Sequence, residues 1–126
     1  MNRRLPMGAI LLLGLLSLSA SVARAEPPAN VQIEVSFLLG YIELSGCEFY
    51  RNGSWHDAKT AQAHLRDKYE YLVAGNLIGS TEDFIERAAT QSSFSGQAYV
   101  VRCKDRAAVA TRLWLSDELV RFRTYR

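Results

Sequence analysis

Cysteine, histidine and proline are scarce in this chain, which has two cysteines, two histidines and three prolines among its 126 residues. Cys47 and Cys103 lie far apart, so the close C-x-x-C spacing of zinc sites and redox-active thiol pairs is absent. Glycine-rich phosphate loops and dinucleotide-binding fingerprints are absent as well. We therefore expect neither a cofactor nor a metal, and the sequence presents no recognisable catalytic motif.

A long apolar run is also missing. The apolar stretch near the start, residues 7–18, has twelve residues, whereas a membrane-spanning helix needs roughly twenty. Two arginines precede this stretch and an A-x-A pattern follows it, as in a cleaved secretory signal. We therefore predict a signal peptide over residues 1–25 and one exported domain over residues 26–126, with no membrane span after cleavage.

Neither sign of charge predominates once the predicted signal is set aside. Residues 1–25 contain Arg3, Arg4 and Arg24 and no acid, which leaves twelve basic and thirteen acidic residues in the remainder. A domain so close to neutral has no electrostatic footprint for nucleic acid or for an anionic lipid surface. We expect no nucleic-acid partner.

The two cysteines, with none left over, predict a Cys47–Cys103 disulfide if the chain is exported to an oxidising compartment. Closing a loop of about 57 residues should stabilise the fold by roughly 4 kcal/mol on the chain-entropy model. A chain of this length suits one domain with one core.

Apolar residues recur at intervals of three and four in four segments, which predicts four helices. Asp57 is placed to cap the second helix, and a hydroxyl at Ser80 or Thr81 to cap the third. The segments are residues 31–44, 58–74, 81–89 and 111–123. The apolar positions are Ile33, Phe37, Leu38, Tyr41, Ile42 and Leu44 in the first helix, and Trp114, Leu115, Leu119 and Phe122 in the last.

Short aromatic and β-branched segments between these helices predict an antiparallel sheet of two or three strands. Asn52-Gly53 is the favoured dipeptide of a two-residue hairpin turn, and it places Tyr50 opposite Trp55. The predicted strands are residues 47–51, 54–56 and 98–103. The fold class is therefore α+β, with about four helices packed on a small sheet that one cross-strand disulfide links.

The disulfide also predicts the register of two strands, because Cys47 opens one and Cys103 closes another. An antiparallel pairing that sets the cysteines side by side brings opposite charges together and apolar residues together. The expected pairs are Glu48 with Arg102, Phe49 with Val101, Tyr50 with Val100, and Arg51 with Tyr99.

This register divides the sheet into two faces. Cys47, Phe49, Tyr99 and Val101 share the face that we assign to the core. The opposite face carries Glu48, Tyr50, Trp55 and Arg102, a charged pair beside two aromatics, and it is the first candidate for a binding patch. The alternative is that the terminal helix covers Tyr50 and Trp55.

A polar cluster gives a second, weaker candidate site. His64 and Lys68 are one helical turn apart, while His56 and Asp57 lie just before the same helix. Two histidines are fewer than the three or four ligands that a metal needs. A hydrolytic triad would need one of them beside a serine of residues 92–95, and no nucleophile-elbow sequence frames those serines. The structural interpretation, hydrogen bonds at a packing boundary and a serine-rich turn, is favoured for both.

Five blocks of the chain, residues 45–53, 63–69, 81–85, 92–96 and 99–103, cover nearly the whole predicted mature chain. In their order and spacing these blocks resemble the uncharacterised YfeK-type family of bacterial periplasmic proteins. The resemblance implies a periplasmic location in a Gram-negative cell and a single domain, but no activity.

Together these observations favour a non-enzymatic periplasmic binding or accessory protein that meets a periplasmic protein or an envelope component through an exposed aromatic surface. The alternative from another class is a small envelope hydrolase or metal-dependent enzyme using His56 or His64. A passive stress or stability factor with no specific ligand is a third possibility.

Overall fold

Four helices and four short strands follow one another in a computed structural model, which describes Gly8, residues 13–17 and residues 26–126. The helices are α1 (Ala29–Leu44), α2 (Ala58–Ala74), α3 (Thr81–Ala88) and α4 (Thr111–Tyr125), and the strands are β1 (Glu48–Arg51), β2 (Ser54–His56), β3 (Val100–Arg102) and β4 (Val109–Ala110). The predicted α+β class is confirmed. Most of the predicted signal peptide lies outside the described residues.

The strands form one antiparallel sheet in the order β2-β1-β3-β4, so the sheet has one strand more than the upper number expected. The predicted hairpin is confirmed, with Tyr50 opposite Trp55. Asn52 and Gly53 both adopt positive φ, 49° and 87°, as a type I′ turn requires. The extra strand, β4, has only two residues and no alternating pattern from which it could be predicted.

The predicted register of β1 and β3 is confirmed for three pairs, Glu48–Arg102, Phe49–Val101 and Tyr50–Val100. The Cys47–Cys103 disulfide closes the end of this ladder, with the two Cα atoms 4.4 Å apart. The fourth predicted pair, Arg51 with Tyr99, does not form. The ladder stops at Val100, because the Tyr99 backbone amide donates to the Thr90 carbonyl oxygen instead.

Helix boundaries follow the predicted caps. The Asp57 carboxylate accepts a hydrogen bond from the Thr60 backbone amide at 2.8 Å, and the Ser80 hydroxyl accepts one from the Asp83 amide at 3.1 Å. Each cap satisfies a free donor of the first helical turn. At the other end of α2, Gly75 ends the helix as expected.

The core lies between the helices and one face of the sheet. Cys47, Phe49, Tyr99 and Val101 are buried, which confirms the predicted inner face. On that face Trp114 of α4 stacks against Tyr41 and meets Phe49 edge to face.

The predicted apolar face of α1 is partly wrong. Ile33 is 58% exposed and Leu44 is 87% exposed. The buried face of the helix is rotated away from them and includes a charged residue, Glu34, with Val31, Val35, Leu38, Leu39 and Ile42. Leu38 and Ile42 were expected there, while Glu34 was not, because its partners come from distant parts of the chain.

In the part of the chain that the structure describes, no helix is both long enough and apolar enough to span a membrane.

Candidate functional site

The sheet face turned away from the helices carries the four residues of the predicted patch, Glu48, Tyr50, Trp55 and Arg102, which we call the outer face. The Arg102 guanidinium lies 3.8 Å from the centre of the Trp55 ring, and its Nε donates to the Glu48 carboxylate at 3.2 Å. The Tyr50 and Trp55 rings meet edge to face with centroids 5.4 Å apart. Each side chain thus fixes its neighbour by a cation–π contact, an ion pair or an aromatic contact.

The terminal helix does not cover this outer face. Successive residues of a strand point to opposite sides, so Tyr50 faces away from Phe49. The α4 residue Trp114 packs on Phe49, which places the helix on the inner side. Tyr50 and Trp55 are half-buried by their own neighbours on the sheet.

A second concave site lies where β1 ends beside α2. Its volume is about 470 Å³, within the range of sites that hold small molecules. We call it the donor cleft, because the hydrogen-bond donors of Arg51, Lys68 and Tyr99 line it together with His64. The other lining residues are Asn52, Asp67, Tyr71, Ser92, Ser93 and Phe94.

Hydrogen bonds link Arg51 to His64 and His64 to Tyr99. Arg51 Nη1 lies 2.6 Å from His64 Nδ1, and His64 Nε2 lies 3.2 Å from the Tyr99 hydroxyl. A guanidinium can only donate, so Nδ1 must accept and the single ring proton of His64 must be on Nε2. His64 therefore donates to Tyr99.

The electrostatic surroundings keep both rings neutral. Burial, together with the nearby charges of Arg51 and Lys68, lowers the pKa of His64 below its ordinary value. Burial raises the pKa of the Tyr99 hydroxyl. At neutral pH the imidazole is therefore unprotonated at Nδ1, and the phenol retains its proton.

Lys68 completes the cluster from the next turn of α2. Its ammonium group donates to the Gln91 carbonyl oxygen at 2.9 Å and to the Tyr99 hydroxyl at 3.4 Å. Burial lowers its pKa. Within residues 26–126, no carboxylate lies within 4.0 Å of the charged groups of Lys68 or Arg51, so neither cation is neutralised by an ion pair.

A smaller pocket, which we call the inner pocket, adjoins the donor cleft and shares Arg51, His64 and Tyr99 with it. Its volume is about 30 Å³, enough for about one water molecule. The pocket is lined mainly by apolar groups, together with Thr111. Within the described chain the Thr111 hydroxyl is buried and has no hydrogen-bond partner.

The predicted polar cluster comes together only in part. His64 and Lys68 share the donor cleft, whereas His56 lines the inner pocket and Asp57 is occupied as the cap of α2. Neither Arg51 nor Tyr99 was a predicted site residue, because Tyr99 was assigned to the core face and Arg51 only to a strand pair with it. The predicted register contained the signal, because it placed these two residues at the same end of the ladder.

Neither serine nor metal chemistry gains support from the geometry. The Ser92 hydroxyl accepts hydrogen bonds from the backbone amides of Phe94 and Ser95, and Ser95 donates to the Asn52 side chain. These bonds make residues 92–97 a tight turn. The described residues include no group of three or more His, Cys, Asp and Glu side chains that could hold a metal ion.

Comparison with known proteins identifies a family. The model of a family described as a family of unknown function (DUF5329) matches residues 29–123, which includes every residue of the outer face and of the donor cleft. No curated protein and no solved structure matches the chain.

Proposed function

We propose that this chain, which belongs to the family of unknown function DUF5329, is a non-enzymatic binding protein of the cell envelope that contacts a protein partner through the outer face. One observation carries the proposal: Tyr50, Trp55 and Arg102 are ordered by mutual contacts on the sheet face opposite the one on which Trp114 of α4 packs. Tryptophan, tyrosine and arginine are the residues that most often dominate the energy of protein interfaces.

Preorganisation strengthens this argument. Ordering a long side chain on binding costs free energy. Arg102 is already held between the Trp55 ring and the Glu48 carboxylate, so most of that cost is met in the free protein.

The proposed location is the periplasm of a Gram-negative cell, as the resemblance to YfeK-type proteins implies. The Cys47–Cys103 disulfide is compatible with an oxidising compartment. Helix α1 begins at Ala29, just beyond the proposed signal cleavage after residue 25. Export predicts a periplasmic protein whose first residue is Glu26, which intact-mass measurement would detect. A protein that keeps residues 1–25 would contradict this part of the proposal.

The alternative, a hydrolase or metal-dependent enzyme using His56 or His64, has less support where it relies on His64. Both ring nitrogens of His64 already have partners, Arg51 and Tyr99. A general base needs a free nitrogen within hydrogen-bond reach of the group that it deprotonates.

Site-specific photocrosslinking in the periplasm tests the outer face. A photoreactive phenylalanine replaces Tyr50 in one variant and, as the control, Tyr125, an exposed aromatic at the end of α4. We expect a discrete protein adduct from position 50 and none from position 125. Adding Trp55→Ala should reduce the adduct by at least fivefold, because interface tryptophans often contribute about 2 kcal/mol or more.

Two results would contradict the proposal. One is the absence of any protein adduct from position 50. The other is an adduct whose yield does not change when Trp55 is replaced by alanine in a protein that remains folded.

A further inference from the structure

The geometry points to the donor cleft as a binding site for the carboxylate of a small organic acid, with the apolar part of that acid lying against Phe94. This site is separate from the outer face, and nothing in the proposed protein–protein contact requires it. The inference rests on the direction of hydrogen bonds within the cluster of Arg51, His64, Lys68 and Tyr99.

The Tyr99 hydroxyl is the centre of that cluster. A phenol oxygen can accept two hydrogen bonds and donate one. Because the Nε2 proton of His64 and the ammonium of Lys68 both approach this oxygen, its accepting capacity is filled. The hydroxyl proton remains to be donated, and the ligand that complements it is an acceptor.

The charges in the cleft select an anionic acceptor. Arg51 and Lys68 contribute two positive charges, and His64 is neutral because Arg51 donates to its Nδ1 atom. Asp67 is the one carboxylate among the lining residues, so it offsets only part of this charge. A carboxylate oxygen would accept from both Lys68 and Tyr99 in charge-assisted hydrogen bonds, which are stronger than neutral ones.

The rim of the cleft indicates what the rest of the ligand is like. Phe94, at the tip of the 92–97 turn, is 95% exposed, and Tyr71 of α2 is also exposed. Both line the cleft. Two aromatic rings beside a cationic centre suit an acid that carries an apolar or aromatic body, because burying that body against the rings removes apolar surface from water.

NMR titration of the purified, oxidised protein with benzoate, acetate and inorganic phosphate tests the assignment. We expect saturable shifts for residues of the cleft, with benzoate bound most tightly because it alone has an aromatic body. Tyr99→Phe removes only the hydroxyl and should weaken benzoate binding by about tenfold. Lys68→Met should weaken it similarly, and Asp67→Asn should strengthen it.

Matched controls separate the cleft from general electrostatics and from the outer face. Lys59→Met removes an exposed lysine of the same helix, α2, and should leave benzoate affinity unchanged, as should Trp55→Ala. The assignment is overturned if no probe binds saturably, if phosphate binds more tightly than benzoate, or if folded Tyr99→Phe and Lys68→Met proteins both bind benzoate like the parent. None of these results bears on crosslinking at the outer face.

Discussion

Arg123 in the last turn of α4 donates two parallel hydrogen bonds, of 2.8 and 3.0 Å, to the buried carboxylate of Glu34 in α1. The two residues are 89 positions apart in the sequence. The Thr81 hydroxyl at the start of α3 donates to the same carboxylate at 2.6 Å. Arg123 also bridges to Glu82 of α3. Three helices are therefore fastened at one buried charge.

Replacing Arg123 with alanine should destabilise the fold by about 2 kcal/mol, because Glu34 would remain buried without its main partner. The estimate is below that for a fully buried pair, since the Arg123 side chain is 38% exposed. Arg112→Ala is the control. It removes an exposed arginine of the same helix that makes no ion pair within residues 26–126, and it should cost less than about 1 kcal/mol. Equal losses in denaturant unfolding would contradict this account.

The same contact makes stability depend on acid. Hydrogen bonds from Arg123 are the largest cause that lowers the pKa of Glu34 to about 2 in the folded protein, from 4.5 in the unfolded chain. The stabilisation is therefore complete above about pH 4.5 and is lost as the pH falls towards 2. The free energy of unfolding should decline as the pH falls across this window. Glu34→Gln should reduce the slope of that free energy against pH by the amount that corresponds to about one proton. An unchanged slope in that variant would assign the acid sensitivity to other carboxyls.

His64 should titrate at lower pH than an ordinary histidine. Burial and the charges of Arg51 and Lys68 lower its pKa, so the unfolded chain takes up the proton first. The folded state then loses stability as the pH falls below about 6.5. Ring-proton NMR should give a midpoint below that value, and Arg51→Gln should raise it. Arg102→Gln, on the outer face, should leave the midpoint unchanged, and a midpoint that moves equally in both variants would contradict the local cause.

Loss of the disulfide should cost roughly 4 kcal/mol on the chain-entropy model, since Cys47 and Cys103 are separated by 56 positions. Guanidinium unfolding of the oxidised protein and of the Cys47→Ser, Cys103→Ser double variant would measure the difference. Ligand titration of the same variant would show whether the donor cleft, at the other end of the β1–β3 ladder, survives the loss. A difference below about 1 kcal/mol would mean that the reduced chain is already constrained.

The two tryptophans should differ in their contribution to folding. Trp114 packs between α1 and the sheet, in contact with Tyr41 and Phe49, so Trp114→Ala should cost about 3 kcal/mol. Trp55 lies on the outer face, and Trp55→Ala should cost no more than about 1 kcal/mol. Denaturant unfolding of both variants makes the comparison. A larger loss at Trp55 would assign the outer face to the core rather than to a partner.

The features that could be predicted from the sequence depend on neighbouring residues, or are indicated by two independent residue pairs. Asn52-Gly53 defines its own turn, and Asp57 defines its own cap. The β1–β3 register was accessible because the cysteine pair and the Glu48–Arg102 pair demand the same alignment. Each of these signals lies within a few residues, or is repeated by a second, independent signal.

The features that were missed depend on distant partners. Glu34 is charged, so periodicity assigns it to solvent, and nothing near it reveals that Arg123 will neutralise it. The donor cleft combines Arg51 from β1, His64 from α2 and Tyr99 from the segment before β3. The sequence pattern of one segment does not show which residues of the other segments lie beside it. Strand β4 is too short to have a pattern at all.

The two long-range contacts of the fold have a consequence for its assembly, because the chain is synthesised from its N-terminus. The disulfide can form only after Cys103 has been made, and Glu34 of α1 can pair with Arg123 only after residue 123 has been made. A chain that ends between these two residues can form the disulfide, but Glu34 in its first helix keeps the Thr81 hydroxyl and lacks the Arg123 guanidinium. Chains that end before residue 123 therefore carry a buried carboxylate without its cation, and they should be exceptionally sensitive to proteases.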